Sequence, residues 1–242
     1  MTDDMHRLYH EFAHRYDLHT PPGHYKHDHA FVIAEALRVA PEGCRLLDVG
    51  CGTGVFLEAA LAAGIDGYGI DSAPEMVTVA RQRLGSERVR VQRMQELTGA
   101  HAYHVVCAIS WTIHYCQTKA ELEDVVHRCH EALVPGGTLI LQVADDDHLS
   151  GAVNIDREPS SSGEPDDTLF IHRIAPLKDA EHRVLADYVY VSREHRELLS
   201  ERHELRFGNP SVVSDALRHN GFRDVRVVSL TPATPFVVGT AF

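Results

Sequence analysis

Three glycines, Gly50, Gly52 and Gly54, directly follow the apolar run Arg45-Leu46-Leu47-Asp48-Val49, and the next apolar run ends at an acid, Asp71. A glycine lets the backbone come close to a ligand and adopt positive φ. A helix that begins just after such a turn offers unpaired N–H groups and a partial positive charge. An acid at the end of the neighbouring strand can accept hydrogen bonds from both hydroxyls of a ribose. A tight turn alone would also use glycines, but glycine turn and acid together point to a nucleoside-containing cofactor. A dinucleotide is disfavoured, because its GxGxxG or GxGxxA fingerprint requires a small last residue where this chain has Val55.

These residues must be held by strands and helices. The alternation predicts strands over Arg45–Val49, Asp66–Ile70, Val89–Gln92, Val105–Ser110 and Thr138–Ala144. Helices are expected over Val55–Ala63, Pro74–Leu84 and Lys119–Leu133. Such βα repetition implies a parallel sheet with helices on both faces, so glycine turn and Asp71 fall at strand carboxyl ends, where open sheets bind ligands. Before this core, residues 5 to 17 and 26 to 39 read as helices, broken at Thr20-Pro21-Pro22-Gly23. After it, Asp145 to Asp167 is rich in Asp, Ser, Gly and Pro and reads as a mobile loop. Three β-like runs follow, Leu169–Ile174, Val184–Ser192 and Leu199–Phe207, an antiparallel patch able to roof a site or form a dimer face. A helix from Ser211 to Asn220 and strands over Val225–Ser229 and Phe236–Ala241 complete the chain. The expected fold is α/β, a Rossmann-like doubly wound seven-stranded sheet with an N-terminal helical cap and an inserted antiparallel β patch. One domain is expected: cap 1–40, core 41–144, loop and insertion 145–210, and a final helix with two strands 211–242.

Leu46-Leu47-Asp48-Val49-Gly50-Cys51-Gly52-Thr53-Gly54, then Tyr68-Gly69-Ile70-Asp71-Ser72-Ala73-Pro74-Glu75-Met76, then Glu131-Ala132-Leu133-Val134-Pro135-Gly136-Gly137-Thr138-Leu139-Ile140-Leu141 resemble the successive motifs of class I S-adenosylmethionine-dependent methyltransferases. The resemblance implies S-adenosyl-L-methionine as cofactor, leaving as S-adenosyl-L-homocysteine. It implies that the glycine loop (Gly50, Gly52, Gly54) contacts the methionine part, that Asp71 holds the ribose, and that Met76 lies near adenine, where Gln95 or a backbone group could bond the amine. Asp48, Ser72, Met94 and Ser110 are further expected cofactor-binding residues. Many relatives place an acid after the third strand; here Arg93-Met94-Gln95 stands there instead. The segment Ser110-Trp111-Thr112-Ile113-His114-Tyr115 follows the fourth strand, where relatives face the transferred methyl. His114 is therefore the expected catalytic base, able to take a proton from a hydroxyl or ammonium group. Trp111, Tyr115 and His172 are expected to meet the substrate. Tyr16-Asp17-Leu18 and the inserted strands resemble amino-sugar N,N-dimethyltransferases of macrolide biosynthesis. In that group tyrosines close over the methionine carboxylate. Tyr16 matches one of them, and Lys26 stands where another is expected and could pair that carboxylate directly.

The net charge is −12, and no Lys/Arg cluster appears, which argues against a nucleic-acid groove. No apolar run reaches the roughly 18 residues of a membrane span. The acidic start lacks the order of a secretion signal, and the five cysteines form no CxxC pair, so a cytoplasmic protein with free thiols is expected. His24-Tyr25-Lys26-His27-Asp28-His29 and Asp145-Asp146-Asp147-His148 resemble metal ligands. Only some spacings in the first share a helix face and the second reads as a solvated loop, so no metal is expected. The reading is methyl transfer to N or O of a small polar metabolite, with a lean to N and a place in natural-product biosynthesis, by a monomer or by a homodimer formed through the β insertion. The alternatives are non-methyl chemistry such as cyclisation, or a cofactor-binding sensor.

Overall fold

The computed structural model describes residues 6–19, 23, 25–99, 101–165 and 167–242. In chain order the core strands are β1 (Arg45–Val49), β2 (Asp66–Asp71), β3 (Val89–Val91), β4 (Tyr103–Ala108) and β5 (Leu133–Gln142). The insertion strands are β6 (Val153–Glu158), β7 (Thr168–Pro176), β8 (Val184–Ser192) and β9 (Glu197–Leu205), and the chain closes with β10 (Arg223–Val228) and β11 (Phe236–Thr240). Helices are α1 (Tyr16–His19), α2 (Lys26–Val39), α3 (Val55–Ala62), α4 (Pro74–Leu84), α5 (Lys119–Ala132) and α6 (Pro210–His219).

The main sheet has the order β10-β11-β5-β4-β1-β2-β3. Strands β1 to β5 are parallel, and β11 runs antiparallel to both β5 and β10. Chain order reverses at β1, between β4 and β2, so a ligand crevice opens beyond the carboxyl end of β1. Alternate side chains go to opposite faces. Leu47, Val49, Val106 and Leu139 pack with α5 and α6, while Leu46, Val105, Cys107 and Ile140 pack with α2, α3 and α4. Both faces are covered, which is why these strands read as continuous apolar runs.

Helices α2 and α4 and strand β1 coincide with the expected ranges, and the seven-stranded sheet is the expected one. The Pro135-Gly136-Gly137 turn lies within β5, where the pairing with β4 jumps from Tyr103↔Leu133 to Val105↔Thr138. Gly136 takes φ +81 there, and the excursion is stitched to the end of the chain by Gly136 N–H to Ala241 C=O at 2.8 Å.

Two expectations need correction. The loop expected over 145–167 contains β6, an edge strand paired with β7 from Val153↔Arg173 to Glu158↔Thr168. Val153, Ile155 and Arg157 on one face are exposed, and the apolar alternation stops at Val153 and Ile155, too short to mark a strand. The N-terminal stretch is not one helix. Its described part runs through tight turns (Tyr9 N–H to His6 C=O, Phe12 N–H to Arg7 C=O) into a short 3₁₀ turn over Ala13–Arg15 and then α1. Leu8 and Phe12 face the second sheet while Ala13 packs with Ala73 and Met76 beside the crevice; a regular helix stripe would not serve both. The break expected at Thr20-Pro21-Pro22 lies outside the described residues.

The second sheet, β6-β7-β8-β9, is antiparallel throughout. Strand β8 alternates buried and half-buried residues, and its buried face (Val184, Ala186, Tyr188, Tyr190) packs on Leu8 and Phe12. The N-terminal segment is thus wedged between this sheet and the crevice.

Candidate active site

Beyond the ends of β1 and β2 lies a cavity of about 490 Å³, with a smaller one of about 70 Å³ beside it; Gly50, Gly52, Tyr16 and Ser110 line both. The glycine turn is a device for close approach. Gly50, Gly52 and Gly54 all have positive φ (+74, +53 and +83). A Cβ on Gly50 would run into the Thr112 side chain, whereas a Cβ on Gly52 would meet nothing within 4 Å, so that Gly52 leaves space open on the cavity side. Gly54 has a different task and needs correction as a cofactor residue. It lines neither cavity, and a Cβ there would sit 2.7 Å from Leu84 Cδ1 and 3.3 Å from Ala80 Cβ, so it lets α3 pack on α4.

Asp71 organises the turn. Its Oδ2 accepts the Gly52 N–H and its Oδ1 the Ala73 N–H, both at 2.9 Å. Each carboxylate oxygen keeps a second lone pair for a ligand hydroxyl. Burial pushes the Asp71 carboxyl up, and these two N–H bonds oppose the shift. Asp48 lines the smaller cavity at 1% exposure, and burial pushes its carboxyl up to about 7, against a weak hydrogen bond from the Cys107 thiol.

Ser72, Met76, Met94 and Gln95 line the larger cavity together with Gln92, Gln117 and Glu121. Gln95 Nε2 donates to Glu121 Oε1 at 2.6 Å. Glu121 in turn belongs to the α5 cap, where Thr118 Oγ1 accepts the Glu121 N–H and Glu121 Oε2 accepts the Gln117 N–H. The cavity end is therefore fixed to a helix start.

After β4 the backbone enters the left-handed region at two successive non-glycine residues, Ser110 (φ 50) and Trp111 (φ 65). Each costs on the order of 1–3 kcal/mol and persists only where surroundings impose it. Here Gln142 Oε1 accepts the Ser110 N–H at 2.8 Å, and Gln142 Nε2 donates to Asp28 of α2 at 2.9 Å.

The cap is tied to the turn. Arg83 donates to Asp17 Oδ2 and to the Thr53 carbonyl, each at 2.6 Å, and Thr53 Oγ1 donates to Asp17 at 2.5 Å. This places Tyr16 against both cavities. Lys26 is exposed and lines neither; its neighbour Tyr25 and also His29 line the smaller one. The expected contact of Lys26 with the carboxylate is corrected: the start of α2 turns Tyr25 inward and Lys26 outward.

His114 needs the largest correction. It is fully buried, its Nδ1 donates to the Arg206 carbonyl at 2.7 Å, and its Nε2 accepts the Ala144 N–H at 2.8 Å. Both nitrogens are committed, and burial lowers its pKa to about 4. The ring joins the β4 turn to the ends of β5 and β9 and has no nitrogen left for a base. Trp111 and His172 also lie outside both cavities: Trp111 packs against the cluster around Leu8 and Phe170, and His172 sits on β7 with its Nδ1 3.8 Å from Asp156.

Tyr115 lines the larger cavity, and its hydroxyl pairs with Tyr9 Oη at 2.7 Å and His203 Nδ1 at 2.6 Å. His6, Tyr9 and His10, which were not singled out in the sequence, line the same wall. They come from an N-terminal stretch without a motif, and their partners are distant in the chain: Glu201 of β9 for His6, Tyr115 for Tyr9 and Glu75 of α4 for His10. Of the possible metal clusters, His24 lies outside the described residues. Asp145, Asp146 and Asp147 come together, but Asp145 pairs with His148, Asp146 with His182 and Asp147 with Lys178.

Strand order, the glycine turn and the acid ending β2 define a class I methyltransferase fold. Residues 46–137 match the family described as "Methyltransferase domain". Over 112 residues it is 37% identical to a ubiquinone biosynthesis O-methyltransferase of Xanthomonas campestris pv. campestris (44% of this chain, 45% of the relative). Over 111 residues it is 32% identical to the dTDP-3-amino-3,4,6-trideoxy-alpha-D-glucopyranose N,N-dimethyltransferase of Streptomyces venezuelae (46% and 47%). The chain thus spans about half the length of the curated relatives it matches. Among solved structures it is similar to SAM-bound CalS10, an amino pentose methyltransferase from Micromonospora echinaspora, with TM-score 0.72, 22% identity and coverage of 90% and 92%. Among the described residues no helix is long and apolar enough to cross a membrane.

Proposed function

We propose that this chain is an S-adenosylmethionine-dependent methyltransferase acting on an N or O atom of a small polar metabolite. The observation that carries the reading is the joint geometry of Gly52 and Asp71: open space at the turn, and a carboxylate that shapes the turn while keeping lone pairs free. The donor set fits the cofactor. Asp71 and Ser72 would take the ribose hydroxyls, and Met76, Met94 and Gln95 would flank the base. Asp48, Gly50, Gly52, Ser110, Tyr16 and Tyr25 would enclose the methionine portion.

When bound, the cofactor supplies a methyl group on a positively charged sulfur. The chain's own residues bind and orient. The N-terminal segment, held by Arg83 and Asp17, covers the crevice and keeps water from the reacting atoms. Positioning of this kind can supply several kcal/mol of the barrier. Among the described residues that line the larger cavity, Arg93 is the one lysine or arginine, which favours a small acceptor over a nucleic acid. The similarity to an amino-sugar dimethyltransferase supports a role in natural-product biosynthesis, and the five buried free thiols fit a cytoplasmic setting.

The experiment is calorimetric titration with S-adenosylhomocysteine, followed by mass spectrometry of acceptors incubated with S-adenosylmethionine. Binding with a product heavier by one methylene unit supports the reading. Binding without turnover across amines, alcohols and acids would favour a sensor, and absence of binding would overturn it.

A further inference from the structure

The acceptor wall of the cavity contains a chain of hydrogen-bonding side chains that the cofactor site does not use. Glu201 of β9 lies between two imidazoles: its Oε1 is 2.9 Å from His6 Nδ1 and 3.1 Å from His203 Nε2. Its Oε2 accepts the Leu8 N–H at 3.0 Å. Burial pushes the Glu201 carboxyl up, but the bonds from His203, His6 and Leu8 outweigh it and hold the group well below the usual carboxylate range. Glu201 is therefore an anion on the inner face of β9.

One assignment of protons fits the three hydrogen bonds of the chain. Tyr9 O–H donates to Tyr115 Oη, and Tyr115 O–H to His203 Nδ1. His6 Nδ1–H donates to Glu201 Oε1, and His203 Nε2 lies within ion-pair distance of the same oxygen. A proton on His6 Nδ1 leaves the lone pair on its Nε2, which makes no hydrogen bond to a described residue, and His6 lines the large cavity with side-chain exposure of 19%. An imidazole held by a carboxylate through one nitrogen, with the other turned to a ligand space, is the arrangement of a general base.

We propose that His6, oriented by Glu201, is the proton acceptor for a substrate that enters with its proton on, a hydroxyl or an ammonium group. The inference rests on the methyltransferase reading. A hydroxyl gives its proton to His6 Nε2 as its oxygen bonds to the methyl carbon, whereas an ammonium group gives its proton to His6 Nε2 first and the nitrogen lone pair so freed then attacks. In both cases the carbon–sulfur bond breaks and leaves its electron pair on sulfur. The resulting imidazolium lies against the Glu201 carboxylate, then loses the proton to solvent. The groups facing His6 are Glu201 and His203 from β9, Tyr115 from the turn after β4, Tyr9 from its own segment, and Tyr188 of β8 behind His203. Arg7 feels the Glu201 charge from solvent, and the His10–Glu75 pair stands at the cavity edge.

The same trio is close enough to suggest a cation. However, the His6 and His203 rings are stacked with centroids 3.7 Å apart and planes inclined by 27°. A bound ion must lie near the plane of each imidazole at about 2 Å from nitrogen, and planes stacked this way meet far beyond that distance.

The test needs no known substrate. Nitrogen-15 NMR of the full-length protein reports the His6 tautomer, and diethyl pyrocarbonate labelling with peptide mapping reports which imidazole nitrogens are available. The proposal requires the proton on Nδ1, with His6 labelled and His114 spared. Turnover is then read with catechol and glucosamine as hydroxyl and amine probes. His6→Gln should lower it by about 100-fold and abolish the acid limb of the pH profile, with affinity for S-adenosylhomocysteine unchanged; Glu201→Gln should fall between the two. A proton on His6 Nε2, no labelling, or wild-type turnover and pH profile in His6→Gln would each overturn it. Loss of wild-type activity on chelation would point to a metal instead. Failure of S-adenosylhomocysteine binding would sink the methyltransferase reading separately.

Discussion

Replacing Asp71 by Asn changes one atom and separates two roles of this side chain. In the native protein both oxygens accept backbone N–H groups, from Gly52 and Ala73. An amide offers one oxygen and one NH₂, so one of these N–H groups must face a donor and lose its partner. An unsatisfied buried donor costs about 1–3 kcal/mol, and this should appear as a lower melting temperature without ligand. The second effect is on the ligand. Two ribose hydroxyls that donated to a carboxylate would meet at best one neutral acceptor, and losing charge-assisted bonds of this kind costs about 1–3 kcal/mol, or roughly 5- to 150-fold in affinity. Calorimetric titration of wild type and variant with S-adenosylhomocysteine, beside thermal unfolding, reads both. Unchanged affinity in a variant that is destabilised would refute the ligand role; unchanged stability would refute the role in shaping the turn.

Other outcomes follow from the same structure. His114 has its folded pKa lowered to about 4 from the usual 6.5 of an imidazole, so the unfolded chain binds the proton more readily between those values. Its contribution is intact above the upper one and lost as pH falls towards the lower, on the order of 3 kcal/mol in all; His114→Gln should flatten this dependence in acid-unfolding curves while keeping cofactor affinity. Asp48 has the opposite sign: its folded pKa is raised to about 7 from 3.8. The unfolded chain loses its proton first, so stability falls as pH rises through that window. Asp48→Asn should raise the melting temperature of the ligand-free protein in mildly alkaline buffer and weaken cofactor binding. Arg83→Ala removes three hydrogen bonds to Asp17 and Thr53. It should raise protease sensitivity of the N-terminal segment and lower affinity for S-adenosylhomocysteine by about tenfold, with little change in the sheet's amide exchange.

Much of the fold was readable because both faces of the main sheet are buried and its helices keep a regular apolar period. Lys26–Val39 and Pro74–Leu84 carry that period over their whole length, and Arg45–Val49 is a strand buried continuously after its first residue. What escaped reading was set by distant partners. Strand β6 is an edge whose Val153 and Ile155 stay exposed, so only a two-residue apolar alternation marks it. The N-terminal stretch has apolar residues, but Leu8 and Phe12 answer to the second sheet and Ala13 to the crevice. The site shows the same division. Gly52 and Asp71 stand at strand ends that the motifs locate. Lys26 and Tyr25 differ only in which way the first turn of α2 faces. His114 and His6 are both histidines near a turn; what separates them is that β9 brings the Arg206 carbonyl to one and Glu201 to the other, a pairing across the chain that local sequence does not carry.

The central claim is that the turn at Gly50 to Gly52 and the carboxylate of Asp71 together hold an adenosyl group. A crystal structure grown with S-adenosylhomocysteine tests it most directly. Density should show both ribose hydroxyls within hydrogen-bonding distance of Asp71 and the thioether beside Gly52, facing the wall of His6 and Tyr115. Adenosyl density elsewhere on the molecule, or a crevice that stays free of the compound at saturating concentration, would contradict it.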